Sequence, residues 1–321
     1  MRTILLPLDG SPLAEQAIPY AAALARTAAA RLILVRATQA QSLLDVDAVD
    51  AQAGVVSRAE HELEATAARL RETGLDVDGY VYYERPVLAI LDAAQRHQVD
   101  LIVLSTHGRS GLGRVIYGSV ADDVLRRAEV PVLLVPPMLD HAWPTDRPLT
   151  VLVPLDGSTL AEAALESANL LAEGLGARLH LLQVVQPPTY PLYGDGYVYI
   201  PFDDEAERAN ARQYLEQQAA KLAGRGRPAT FEVAVGSPDV VIARTAAEQQ
   251  ADVIAMATHG RGGLARLVLG SVATGTLRRS HVPLLLTRPV GLGQTEPLPP
   301  PEMIESAADE TPAPPEIVTT R

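Results

Sequence analysis

Residues 101–120 read LIVLSTHGRSGLGRVIYGSV, and residues 252–272 read DVIAMATHGRGGLARLVLGSV. Each stretch leaves an apolar strand, passes Thr-His-Gly-Arg and a glycine-rich loop, and reaches Gly-Ser-Val at the head of an amphipathic helix. A helix start leaves its first backbone N–H groups unpaired, and the aligned peptide dipoles put partial positive charge there. Such an end binds anions without a charged side chain, and glycine lets the backbone come close and take positive φ. Ser119 and Ser271 stand where either an N-cap hydroxyl or a phosphate-binding hydroxyl would stand. The strand–loop–helix order places each loop at the carboxyl end of a parallel strand, where open α/β sheets bind ligands. Each loop therefore reads as a cradle for the phosphates of a nucleotide.

Outward from these loops the chain is also written twice. Residues 2–8 (RTILLPL) make a short apolar strand ending in Asp9-Gly10-Ser11, and 147 positions later residues 150–155 (TVLVPL) end in Asp156-Gly157-Ser158. In the helix that follows, Leu13, Ala17, Tyr20 and Leu24 share a face, as do Leu160, Ala164, Ser167 and Leu171, with the serine as the weak point. Second strands fall at residues 31–37 (RLILVRA) and 178–184 (RLHLLQV). Second helices are expected at about 53–73 and 204–225; Leu63 matches Leu215 there, so the offset has grown to 152. The extra residues lie in the loop 186–203, whose Tyr190, Tyr193, Tyr197 and Tyr199 suit a lid, an interface pad or a plain exposed loop. Third strands (77–83 and 230–235) turn at Pro86 and Pro238 into short helices; fourth strands (101–104 and 253–256) feed the glycine loops; fifth strands (131–135 and 283–287) close each copy.

Alternation of helices with strands that are apolar along their whole length predicts an α/β protein built of two tandem doubly wound five-stranded parallel sheets. The expected division is a first domain at residues 1–136, a linker at 137–148, a second domain at 149–288 and a disordered, acidic, proline-rich tail at 289–321. An apolar fifth strand at a sheet edge invites pairing. The two fifth strands are expected to pair across an internal twofold axis, making the chain an internal pseudo-dimer; further pairing into a homodimer is left open.

Composition removes several alternatives. The 321 residues contain no cysteine, which excludes disulfides and zinc–thiolate sites. A net charge of −12 argues against nucleic acid as a partner. No apolar run approaches the roughly 20 residues of a membrane span, and residues 1–3 enter a strand at once, so no membrane partner and a cytoplasmic location are expected. Lys221 is the only lysine and lies far from any glycine loop, so neither a P-loop nor Schiff-base chemistry fits. A side-chain cation at the phosphates must be arginine. The remaining histidines show no metal-ligand spacing, and no Gly-x-Ser-x-Gly elbow occurs.

These motifs resemble the universal stress protein family, specifically its tandem two-domain members. The resemblance rests on Pro7-Leu8-Asp9-Gly10-Ser11 and Pro154-Leu155-Asp156-Gly157-Ser158, and on Gly-x9-Gly-Ser, matched by Gly108 with Gly118-Ser119 and by Gly260 with Gly270-Ser271. It implies a Rossmann-like fold of the adenine nucleotide alpha hydrolase kind, with ATP as ligand and Mg²⁺ arriving on its phosphates. Asp9 and Asp156 would face the ribose or the metal-bound phosphates, and backbone near Ala37 and Val184 would read the adenine edge. Gly108, Gly118 and Ser119, with Gly260, Gly270 and Ser271, would hold the phosphates. Pro7, Ser105, His107, Arg109, Gly111 and Val120, with Pro154, Ala257, His259, Arg261, Gly263 and Val272, complete the implied binding set. The ATP-binding branch has the fuller pattern Gly-x2-Gly-x9-Gly-Ser/Thr; Ser105 and Ala257 replace its first glycine. Both are small, but a positive φ there would be strained.

Blander roles stand beside these. Asp9 and Asp156 also fit an Asx-type cap on the Gly-Ser turn, which is compatible with a ligand role. His107 and His259 suit a general base or a backbone-orienting role, and Arg109, Arg114, Arg261 and Arg266 suit phosphate contacts or solvated surface. Three functions remain: a stress-response regulator that binds ATP with at most slow hydrolysis, an interaction scaffold with vestigial pockets, and an ATP-using enzyme. The first is the expectation, with protein partners unknown. No motif pins a catalytic base or nucleophile for the third.

Overall fold

The central strands are short runs of mostly β-branched and aliphatic residues, the edge strands are more polar, and the order of strands and helices follows the repeat. The structure, a computed structural model, describes residues 1–38, 48–106, 118–137, 139, 143–144, 146–187, 204–258 and 269–288; for residues 48–53 and 204 it describes the backbone alone. The first half runs β1 (Thr3–Pro7), α1 (Pro12–Glu15), α2 (Ile18–Ala28), β2 (Arg31–Ala37), α3 (Ala48–Glu72), β3 (Val77–Tyr82), α4 (Pro86–Arg96), β4 (Leu101–Ser105), α5 (Ser119–Arg127) and β5 (Val132–Val135). The second runs β6 (Thr150–Leu155), α6 (Thr159–Leu175), β7 (Arg178–Val185), α7 (Asp204–Gly224), β8 (Ala229–Val235), α8 (Pro238–Glu248), β9 (Val253–Ala257), α9 (Ser271–Arg279) and β10 (Leu284–Thr287). The glycine loops, most of the tyrosine loop and the tail lie outside the described residues.

The strands form one sheet in the order β3-β2-β1-β4-β5-β10-β9-β6-β7-β8. Within each half all neighbours are parallel, with Ile4 opposite Leu101 and Val151 opposite Val253. The halves meet where β5 and β10 pair antiparallel, Leu133 opposite Leu285. The expected pairing of fifth strands is therefore present, and it turns two sheets into one continuous sheet. Leu133 and Leu285 are 0% and 1% exposed, so the seam is part of the core.

The helices divide between the two faces of the sheet. One face carries α1, α2, α3, α6 and α7 over a single apolar cluster that crosses the seam; the other carries α4, α5, α8 and α9. The first-half helix expected through Leu13 and Leu24 is broken at Gln16 and Ala17, because Pro19 follows Ile18 at the head of α2. Proline lacks an N–H and clashes with the turn before it. Glu166 stands at the matching place in α6, which runs unbroken. Ser167, the weak point of that face, is buried but satisfied, accepting the Thr287 hydroxyl at 2.7 Å.

Two aspartates latch the strand starts. Asp100 Oδ2 accepts from the backbone N–H groups of Arg2 and Thr3. Asp252 accepts from the Thr150 N–H (2.8 Å) and from both terminal nitrogens of Arg147 (2.7 and 2.8 Å). Beside it the Trp143 indole donates to the Asp252 carbonyl at 3.2 Å and meets the Tyr20 ring edge-on, 5.2 Å between centroids. Trp143 thus ties the first half's α2 to the second half's β9. Losing the Asp252 carboxylate strands several donors, a cost of about 2–3 kcal/mol. Asp252→Ala is expected to lower stability by that amount in denaturant unfolding, and an unchanged midpoint would refute the latch.

His180 on β7 is buried and pairs through Nδ1 with Thr230 Oγ1 at 2.7 Å. Burial holds its pKa below the ordinary 6.5, while Glu232 pulls it partly back. Between the lowered folded value and the ordinary one, the unfolded chain binds more protons, so this contribution is complete above the ordinary value and is lost as pH falls. The unfolding midpoint is expected to drop as pH falls through the ordinary value of 6.5, and His180→Gln is expected to flatten that dependence.

Candidate functional site

In the first half β1 and β4 are neighbours, yet the chain leaves them for opposite faces: after β1 toward α1 and α2, after β4 toward α5. At such a switch point no crossover covers the carboxyl ends of the strands. A cavity of about 890 Å³ lies there, within the range of small-molecule sites. Pro7, Asp9, Ala37, Ser105, Gly118, Ser119 and Val120 all line it. The structure thus brings together every first-half candidate among the described residues. His107, Gly108, Arg109 and Gly111 lie outside them, as do His259, Gly260, Arg261 and Gly263 in the second half.

The turn after β1 is built by side-chain hydrogen bonds. Asp9 Oδ1 accepts the Ser11 N–H at 2.8 Å, and Ser11 Oγ caps α1 by accepting the Ala14 N–H at 3.1 Å. The second half repeats this with Asp156, Ser158 and Ala161 at 2.9 and 3.1 Å. The Asx-cap role of both aspartates is therefore real, and it fixes each carboxylate at the rim of its switch point. Gly10 takes φ +75°, which side chains rarely adopt, and a methyl group there would also meet the Arg36 guanidinium, with Cζ 2.8 Å from the methyl position.

The caps of α5 and α9 are Gly118 and Gly270; Ser119 and Ser271 occupy the first helical position and are exposed. The N-cap role considered for these serines is not realised. Gly118 is extended (φ −59°, ψ 159°) and its N–H donates to the Thr106 carbonyl at 2.6 Å. That bond pins the helix start to the end of β4. The next three N–H groups have no intrahelical acceptor and open on the cavity side, where Ser119, Val120 and Ala121 line the wall. Ser105 and Ala257 have no positive φ; they are strand residues at the ends of β4 and β9, so the strain expected of a replaced glycine does not arise.

In the second half Pro154, Asp156, Val184, Ala257, Gly270, Ser271 and Val272 stand on the matching elements: the end of β6 and its turn, β7, the end of β9, and the start of α9.

Motif reading missed the side chains that give the first cavity its charge. Arg36, one residue from the end of β2, lines it with a side chain only 10% exposed, and pairs at 3.0 Å with Glu62 of α3, which is 48% exposed. Arg58 lines the same wall. A second arginine in RLILVRA, after the four apolar residues that follow Arg31, was a visible signal; its pairing with a residue 26 positions on was not. In the second half Gln183 and Tyr214 occupy the matching places. The Tyr214 hydroxyl donates to Glu162 Oε1 at 3.1 Å, and Gln218 donates to the same oxygen at 2.8 Å. Burial, then the nearby Glu162 and Asp156 carboxylates, push the Tyr214 pKa well up, so the phenol stays neutral.

A duplicated mononucleotide-type α/β unit with a cleft at the strand switch point defines the class of protein. The chain belongs to the universal stress protein family, whose model matches residues 1–136 and again residues 149–288. A universal stress protein of Mycobacterium tuberculosis is 28% identical over 217 residues, 67% of this chain and 70% of the relative. One from Thermus aquaticus is 35% identical over 135 residues, 42% of this chain and 98% of the relative, so it has the length of a single half. Among solved structures, a universal stress protein from Archaeoglobus fulgidus aligns over 89% of this chain and 98% of its own, at 22% identity and a TM-score of 0.67, and so shares the fold. Among the described residues no helix is long and apolar enough to cross a membrane.

Gly10 and Gly74 both have positive φ, but only at Gly10 would a methyl group meet a neighbour. Gly10→Ala is expected to cost more stability than Gly74→Ala, whose penalty is backbone strain alone, about 1–2 kcal/mol. Equal losses in thermal unfolding would mean that Arg36 is not held over Gly10.

Proposed function

We propose that this protein is a stress-response regulator that binds ATP, carried with Mg²⁺, in the switch-point cleft of one or both halves, and turns it over slowly if at all. The observation that carries this reading is convergence. Residues from β1, β2, β4 and α5, far apart in sequence, line one cavity whose wall includes the start of α5, where the first N–H groups have no intrahelical acceptor. The helix start suits phosphates, the Asp9 turn suits the ribose or the metal-bound phosphates, and the end of β2 at Ala37 suits the adenine edge. Asp9 already accepts a backbone hydrogen bond, so it suits a Mg²⁺ brought by the phosphates better than a cage made by the protein alone. Family membership supports the regulatory role. The division into binding units 1–136 and 149–288 around a linker, a cytoplasmic location, unknown protein partners and further pairing into homodimers belong to the same reading.

Calorimetry with Mg·ATP tests it. One or two sites per chain are expected, and no heat at millimolar nucleotide would overturn the reading. Gly118→Val is the informative variant. A Cβ there would sit 3.6 Å from the Thr106 carbonyl, an ordinary contact, and the backbone is extended, so the fold should survive. The branched side chain would stand where phosphates approach the helix start. Affinity at the first cleft is expected to fall at least tenfold, about 1.4 kcal/mol, with an unchanged unfolding midpoint. Full affinity in this variant would mean that the phosphates sit elsewhere.

A further inference from the structure

The two halves differ at the place where Arg36 lines the first cavity. Arg36 is in register with Val81, and Gln183 with Val233, so the two side chains hold the same place in their halves. By strand alternation each faces the same side as Leu34 or Leu181, which lie in the cluster under α3 and α7. Each is about nine-tenths buried. The residue at the place of Glu62 changes as well, to Tyr214, whose phenol donates to Glu162 rather than to Gln183.

Arg36 is poorly placed for the phosphates held at α5. Its strand is two places from β4 in the sheet, roughly 10 Å away at ordinary strand spacing. Its guanidinium lies on the α3 face, over Gly10 and beside the Asp9 turn, whereas α5 packs on the other face. Of the two places that the nucleotide reading, on which this inference rests, allows beside the Asp9 turn, this distance from α5 fits the ribose. An arginine beside the ribose is a general device for accepting a phosphate on its hydroxyls.

We propose that Arg36 makes the first cleft selective for adenine nucleotides bearing a phosphate monoester on the ribose ring, and that Gln183 makes the second selective for the unmodified ribose. A guanidinium matches a phosphate with two parallel hydrogen bonds, and this one is largely removed from water. Glu62, its present partner, is half exposed on α3. Being half exposed, the Glu62 carboxylate can turn back to water when a doubly charged phosphate takes its place on the buried guanidinium. In the second half Gln183 Oε1 is buried and has no hydrogen-bond partner among the described residues. A buried acceptor of this kind calls for a donor. A ribose hydroxyl donates to it, whereas a phosphate dianion cannot, and the neutral amide supplies no charge to offset the dianion's loss of water.

The test is titration of the full chain with AMP, adenosine 2′,5′-bisphosphate and adenosine 3′,5′-bisphosphate. At one site per chain, a bisphosphate is expected to bind at least tenfold tighter than AMP; at the other, AMP is expected to bind tighter. Arg36→Gln, which copies the residue of the second half, is expected to bring the bisphosphates down to the affinity of AMP. Gln183→Arg is expected to raise bisphosphate affinity at the second site. Unfolding midpoints confirm that both variants fold. If ATP and AMP bind but neither bisphosphate is preferred, or if Arg36→Gln keeps the preference, this inference is wrong and the nucleotide reading stands. If no adenine nucleotide binds at all, both fall.

Discussion

The architecture turns on two neighbouring strands whose continuations part company. β1 and β4 lie side by side, Ile4 against Leu101, but one leads to helices on the first face and the other to α5 on the second. No crossover helix among the described residues then covers their carboxyl ends, which leaves a cleft there. What remains is to furnish it. A short carboxylate turn, Asp9 to Ser11 to Ala14, shapes the β1 side, and a single backbone hydrogen bond from Gly118 to Thr106 pins the α5 start on the β4 side. The continuous apolar strands, buried on both faces, hold those two ends in register.

Duplication within one chain changes what such a unit can do. The antiparallel contact of β5 with β10 buries the edge strands of both halves and runs one apolar cluster under helices from each. Trp143 fastens the halves a second time by reaching from Tyr20 to the Asp252 carbonyl. Two identical chains in a dimer must carry the same residues in both clefts, but two halves of one chain are free to diverge. They have done so in paired changes: Pro19 against Glu166 breaks one helix and not the other, Tyr20 against Ser167 exchanges an aromatic contact for a hydroxyl pair, and Arg36 with Glu62 against Gln183 with Tyr214 removes an ion pair from a cleft wall.

Much of this was legible in the sequence because it rests on periodicity and position. Strand order, the parallel halves and the pairing of Val132–Val135 with Leu284–Thr287 follow from apolar runs and from the cost of an exposed edge. The convergence of Pro7, Asp9, Ala37, Ser105 and Gly118 follows from the switch point. What was missed depends on local geometry or on tertiary contact. The α1–α2 break was signalled by Pro19, but the apolar spacing of Leu13, Ala17, Tyr20 and Leu24 is almost the same with or without a kink. Gly118 rather than Ser119 caps α5 because the Gly118 N–H is drawn to the Thr106 carbonyl, a bond that composition does not reveal. The Arg36–Glu62 pair forms between a strand and the helix laid across it, and only packing shows that the two meet.

In the proposed function the cleft beside β1 and β4 receives an adenine nucleotide, phosphates toward α5 and base toward the end of β2. A crystal structure of the chain grown with Mg·ATP tests it most directly. Triphosphate density is expected against the backbone N–H groups of residues 119–121, with the ribose over the Asp9–Ser11 turn. A cleft filled instead by the protein's own side chains, with nucleotide absent or bound elsewhere, would contradict it.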